Sequence, residues 1–209
     1  MRLRLPRGDM DKEIVELNRL WEPVRPYLSR QVKELYGRSG GRILEIGPFS
    51  GLIFDLIREN LGTSFLMAVF PGGIIDSLRK EARSLGLEER VMVVESDAGL
   101  SGVARASVDL ALFRGAFFFP SFFRPDLPAV YGSLRAGGVA LMGGGFGRYT
   151  PKAVIEHIRG RSTELNLSLG RVHRTEEDLK AALDSAALAG KAEIISSGGL
   201  WVVLKRGED

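Results

Sequence analysis

The chain has 209 residues, 44% hydrophobic and 26% charged, with a net charge of +3 from 29 basic and 26 acidic side chains. That length allows one α/β domain with a substantial core, and with no long basic run or aromatic-interleaved basic patch a nucleic-acid partner is not expected. The absence of cysteine excludes disulfides, thiolate metal sites and a cysteine nucleophile, no apolar run reaches the ~18–20 residues that span a bilayer, and the basic start MRLRLPRGDMDKE lacks an apolar signal region, so a cytoplasmic protein with no membrane contact is expected.

Residues 11–36 carry Ile14, Leu17, Trp21, Val24, Leu28, Val32 and Leu35 at steps of three and four, the pattern of an amphipathic helix. Pro23 and Pro26 predict that it splits in two. Trp21 and Tyr27 are expected to pack these helices on a sheet. Residues 1–40 therefore read as a helical cap and 41–209 as the main domain, one compact unit overall.

From Arg42 the pattern changes. Short apolar runs at 43–46, 65–70, 91–95, 108–113 and 139–142 alternate with helical patterns near 52–61, 74–85 and 126–134. Strands alternating with helices predict a parallel sheet covered on both faces. Residues 160–173 are the least regular and read as a small lid. Thr175 with Asp178 predicts a capping box opening a helix that runs to Gly190. KAEIISS, then GG, then LWVVLKR reads as a hairpin whose last strand is antiparallel.

The stretch GRILEIGPFSGLIFDLI, residues 41–57, reads as a strand, a glycine-bounded turn and a helix. Such turns bring backbone close to a ligand. Phe49 stands where a dinucleotide fingerprint places its middle glycine, and the Lys-Ser/Thr ending of a phosphate loop is absent. A ligand without a phosphate fits better.

Here the chain resembles the class I S-adenosylmethionine-dependent methyltransferases. Glu45-Ile-Gly47-Pro48-Phe49-Ser-Gly51 looks like their first motif, VMVVESDAGL their third strand with its terminal acid Asp97, and SVDLALFRGAFFF their fourth strand. LPAVYGSLRAGGVALMGGG resembles the helix and fifth strand that come next, and the RGAFFF and GGGFG segments resemble a subgroup of small methyltransferase-like proteins. The resemblance implies a Rossmann-like, doubly wound, mostly parallel seven-stranded α/β sheet with an antiparallel C-terminal strand and N-terminal capping helices. It implies S-adenosyl-L-methionine as cofactor and methyl transfer to a small molecule.

Under that resemblance the cofactor lies against the backbone of Gly47, Pro48 and Gly51, with Phe49 near the sulfonium. Glu45 anchors the ammonium end, Asp97 accepts from the adenine amino group, and Ala98 offers a backbone N–H. Arg114 ends the fourth strand on the substrate side, as a ligand for an anionic group or a partner for a buried acid. Gly144, Gly145 and Tyr149 are the other substrate-side candidates. The family places at the end of its second strand an acid for the ribose hydroxyls; Phe70 stands there instead, with Asp76 six residues on as a substitute or a solvated helix position.

Each residue also has a plain structural reading. Gly47 and Gly51 serve any tight turn, Glu45 any helix cap, Asp97 any loop, and residues 143–147 any connector. His157, within a helix predicted to start near Pro151, and His173, just before the next, lack a metal-spaced partner, and no metal site is expected. The aromatic run 117–119, with Phe122 and Phe123, is core, or else an interface that predicts a homodimer or an apolar substrate. The departures at Phe49 and Phe70 leave a second function open, a binding or assembly module that keeps the fold without methylating.

Overall fold

The computed structural model describes residues 7–208. Seven strands form one sheet: β1 (Arg42–Ile46), β2 (Ser64–Val69), β3 (Val91–Glu95), β4 (Val108–Arg114), β5 (Leu134–Gly144), β6 (Ala192–Ile195) and β7 (Leu200–Lys205). Their order is β3-β2-β1-β4-β5-β7-β6. The first five are parallel, and β7 runs antiparallel between β5 and β6. Consecutive residues of β1, β2 and β4 are buried, which requires cover on both faces of the sheet. The fold is thus the Rossmann-like arrangement expected from the sequence. Strand order reverses between β1 and β4, where Glu45 lies opposite Leu112. Ligands of open α/β sheets bind beyond the carboxyl ends of strands at such a reversal.

Helices α1 (Arg7–Leu20) and α2 (Arg25–Tyr36) are separated by a 3-10 turn over Glu22–Val24, the break that Pro23 and Pro26 predict. Gly37, with φ of 67°, ends α2, a conformation glycine adopts without a Cβ penalty. These helices lie over the turn after β1. Asn18 donates to the Pro48 carbonyl at 2.8 Å. The buried Arg25 guanidinium pairs with Asp55 at 3.2 Å and Glu81 at 2.8 Å, joining α2 to α3 (Leu52–Arg58) and α4 (Ile75–Ser84). The remaining helices are α5 (Leu127–Ser133), α6 (Lys152–Ser168) and α7 (Glu176–Ser185).

Several expectations need correction. Residues 160–173 are no irregular lid, because α6 runs through them to Ser168. Ile158, Ser162 and Leu165 are its buried positions, at helical spacing but with a serine in the middle, and the exposed Gly160 further weakens the pattern. Helix α7 stops at Ser185 rather than 190, and Ala187 adopts φ of 55° just beyond it. Strand β5 starts at Leu134, opposite Val108; the register then shifts before Val139 pairs with Leu110. Phe70 lies one residue beyond β2. Phe117, Phe118, Phe119 and Phe123 are buried, so the exposure on which a homodimer was predicated is not found. Among the described residues no helix is long and apolar enough to cross a membrane.

The predicted capping box at α7 is present: the Thr175 hydroxyl accepts from the Asp178 N–H at 3.3 Å, and the Thr175 N–H donates to the Asp178 carboxylate at 2.8 Å. Replacing Thr175 with alanine is expected to cost about 1 kcal/mol and lower the melting temperature by ~2–4 °C. Thr175→Ser should keep the wild-type value in the same calorimetric scan.

Candidate functional site

The turn after β1 is sealed inside the protein, with every residue from Ile43 to Ile57 buried. Gly47, at φ of 92°, donates its N–H to the Ala68 carbonyl at 2.9 Å, and the Ser50 hydroxyl returns to the Gly47 carbonyl at 2.8 Å. Gly51 takes φ of 111°, and a Cβ there would run into the Arg25 guanidinium. Glu45 projects from β1 under this turn. Its carboxylate accepts from the N–H groups of Gly51, Leu52 and Ile53 at 2.9, 3.0 and 3.3 Å. These are donors that the first turn of α3 cannot satisfy internally. Burial pushes the Glu45 carboxyl up from its usual range, opposed first by the charge of Arg114 and then by the three N–H groups.

Arg114 ends β4 beside the turn and is also buried. Burial lowers its pKa to about 10, and the nearby Glu45 charge holds it up. It therefore stays cationic at neutral pH. Its guanidinium stands over the Trp21 ring at 5.2 Å, a cation–π distance. One of its nitrogens, Nη1, is buried without a hydrogen-bond acceptor.

On the other side of Gly47 the space is filled by rings. A Cβ on Gly47 would lie 2.9 Å from the Phe113 ring and 3.4 Å from the Phe70 ring. Phe70 meets Phe113 and Phe123 edge-on at 6.0 and 5.4 Å. Phe123 approaches Phe119 at 6.4 Å, and Phe119 packs on Phe49 at 4.5 Å. Phe49 in turn lies on Gly115, where a Cβ would collide with it. The two phenylalanines that depart from the motif are thus members of one buried aromatic cluster.

The other expected site residues are dispersed. Asp97 is exposed and bonds forward to Ser101, accepting from its N–H at 3.2 Å and its hydroxyl at 2.5 Å. The hydroxyl bond, then the backbone bond, lowers its pKa. Ala98 is half-buried beside it. Asp76 is solvated and within 3.9 Å of Arg79. The Tyr149 hydroxyl donates to the Glu34 carboxylate on α2, and its ring carries Arg30 at 4.2 Å.

A cavity of about 170 Å³ lies beyond β4 and β5. Arg114, Gly115, Gly144 and Gly145 form its floor, and Trp21, Phe49, Phe118, Phe119 and Phe146 its apolar walls. Gly144 and Gly145 thus line it as expected, whereas Tyr149 does not. The glycine run has a packing cause: a Cβ on Gly143 or Gly145 would strike the backbone at Leu200 or Gly199. Trp201 closes the cavity from β7, and its indole Nε1 is buried without an acceptor.

Helix α6, whose second half the sequence suggested as a lid, supplies another wall. Its Ser162 accepts from Trp21 Nε1 at 3.0 Å and from the Asn166 amide at 3.2 Å. Arg159 lies on the same helix and Arg171 just beyond it, and both face the cavity from exposed positions. The signal for this wall was Ser162 and Asn166, one helical turn apart.

No family model matches the chain, and no curated protein matches it. Solved structures do. A proposed S-adenosyl-L-methionine-dependent methyltransferase from Methanococcus maripaludis matches with a TM-score of 0.77 at 21% identity, over 100% of this chain and 98% of that one. A SAM-dependent methyltransferase from Aquifex aeolicus matches at 0.63 and 13% identity, over 92% and 96% of the two chains. Geranyl diphosphate C-methyltransferase from Streptomyces coelicolor A3(2), in complex with Mg2+, geranyl diphosphate and S-adenosyl-L-homocysteine, matches at 0.56 and 11% identity, over 87% and 80%.

The residues present fit that cofactor in part. The glycine turn offers backbone, but Phe70 and Phe113 occupy the space against Gly47, and Asp97 is engaged with Ser101. Glu45→Ala is expected to lower stability by about 3–5 kcal/mol, since it strands three buried N–H groups and leaves the Arg114 charge uncompensated. Urea unfolding of the variant checks this; a loss under 1 kcal/mol would mean that Glu45 is not the cap on which the turn depends. At the identities found, what is shared with the solved structures is the architecture: the chain has the fold of the S-adenosylmethionine-dependent methyltransferases.

Proposed function

We propose that the chain is an S-adenosylmethionine-dependent methyltransferase acting on a small molecule held in the cavity beyond β4 and β5. The observation that carries this reading is that the cavity meets the glycine turn through Phe49. The fold likeness supports methyl-transfer chemistry and the cavity's size supports a small acceptor; the Streptomyces relative, too, binds a small molecule, geranyl diphosphate.

When bound, the cofactor supplies a methyl group on a sulfonium. The backbone of Gly47, Pro48 and Gly51 would support it, with Glu45 toward its amino-acid end. Asp97 would accept from the adenine amino group, and Ala98 would donate its backbone N–H. Phe49 would turn aside and present its face toward the sulfonium. On the acceptor side, Arg114 and the backbone of Gly144 and Gly145 orient the substrate, while α1, α2 and α6 exclude water. Orientation of this kind can supply much of the rate of a displacement reaction.

The aromatic cluster favours a second reading, a binding module that keeps the fold without methylating. Burying one phenylalanine stabilises by about 1.5–3 kcal/mol. A cofactor that displaces two rings therefore forgoes about 3–6 kcal/mol, partly recovered by its own burial. Loss of the ribose acid removes about 1.5–3 kcal/mol more.

Calorimetry with S-adenosylhomocysteine separates the readings. The wild type is expected to bind weakly, and Phe70→Asp to bind about tenfold to a hundredfold more tightly. Circular dichroism verifies that the variant folds. Absence of binding at millimolar ligand by the wild type, by Phe70→Asp and by Phe49→Gly would sink the methyltransferase reading in favour of the module.

A further inference from the structure

The cavity beyond β4 and β5 has an electrostatic character that its role as an acceptor pocket does not require. Among the described residues no acidic side chain lines it, whereas three arginines do. Only Arg114 is buried; Arg159 and Arg171 are exposed, with the Arg171 guanidinium lying on the Phe118 ring at 4.9 Å.

Two residues that line this cavity each carry a buried donor without an acceptor, Arg114 at Nη1 and Trp201 at Nε1. A buried N–H without a partner is costly, and more so where the donor is charged. Each such donor calls for an explanation, and a bound acceptor is one. Glu45 balances part of the Arg114 charge, but its oxygens accept from Gly51, Leu52 and Ile53 and not from Arg114.

The remaining surface is apolar and aromatic, and the volume of about 170 Å³ is close to the ~150 Å³ that accommodates benzene in an engineered protein cavity. The ligand is thus about one ring in size, apolar over most of its surface and anionic at one end.

We infer that this cavity binds a small carboxylate with an apolar, ring-sized body, its carboxylate bridging the Arg114 guanidinium and the Trp201 indole N–H. Two donors match two carboxylate oxygens. A phosphate monoester carries about −1.5 to −2 charges and three acceptor oxygens, more than these two donors satisfy. Arg159 and Arg171 raise the local concentration of anions at the rim. Calling this carboxylate the methyl acceptor rests on the methyltransferase reading; its binding does not.

The test uses the full chain without cofactor, so that failure of cofactor binding leaves it untouched. Calorimetry compares benzoate, its neutral isostere benzamide, and phenyl phosphate. Benzoate is expected to bind at least tenfold more tightly than either. Arg171→Gln, at an exposed position, is expected to weaken benzoate a few-fold and flatten its salt dependence. Arg114→Gln, verified as folded by circular dichroism, is expected to bring benzoate down to benzamide. Equal binding of benzoate and benzamide by the wild type would overturn the inference, and so would tighter binding of phenyl phosphate. Benzoate bound with wild-type affinity by folded Arg114→Gln would overturn it as well.

Discussion

The buried carboxylate of Glu45 is the constraint around which the rest is arranged. It leaves β1 and accepts three N–H groups from the start of α3, which fixes how the chain turns from strand to helix. A buried anion needs compensation. The compensating charge is Arg114, one strand away at the end of β4. Because β1 and β4 flank the reversal of strand order, this couple sits at the point where the fold leaves its natural crevice. Among the described residues Arg114 has no acid within ion-pair distance, and it retains a free N–H, so the balance is electrostatic rather than a closed salt bridge. The charge that steadies the turn is therefore also available to a ligand.

A second charged cluster holds the cover in place. Arg25 on α2 reaches Asp55 on α3 and Glu81 on α4, and it stands where any side chain at Gly51 would have to go. Gly51 is thus needed twice, for its positive φ and for the guanidinium above it. The placement of the N-terminal helices depends on this contact. With Asn18 bound to Pro48, they close the turn from solvent and place Trp21 over Arg114.

Much of this was legible in the sequence. The alternation of runs from Arg42 predicted the parallel sheet, and the Gly-Gly turn predicted the antiparallel return of β7. Glu45, Gly47 and Gly51 stood out because acid and glycines flank one strand end, and the structure brings them together. The second half of helix α6, from residue 160 on, was not legible, since its buried stripe holds Ser162 between Ile158 and Leu165, and polar stripes carry little periodic signal. Trp201 looked like an ordinary strand residue; its unpaired N–H depends on contacts from other strands. Asp97 was ambiguous for a different reason. Its partner Ser101 lies four residues ahead, and loop acids that bond their own loop are common in turns that bind nothing.

Phe70 was recognisable as a departure, but its consequence was not, because the rings around it come from three other stretches of chain: the turn after β1, β4, and the loop after β4. Phe49, Phe70, Phe113, Phe119 and Phe123 form one chain of contacts from the glycine turn to the loop after β4. Phe49 and Phe119 are also walls of the Arg114 cavity. The ring-filled space beside Gly47 and the Arg114 cavity therefore share a partition made of aromatic side chains. Any rotation that makes room beside Gly47 alters the cavity wall, and any ligand that presses on that wall alters the room beside Gly47. Coupling between two binding sites is reciprocal by thermodynamic necessity. In this chain any such coupling passes through aromatic rings, because Phe49 and Phe119 belong both to the cluster and to the cavity wall.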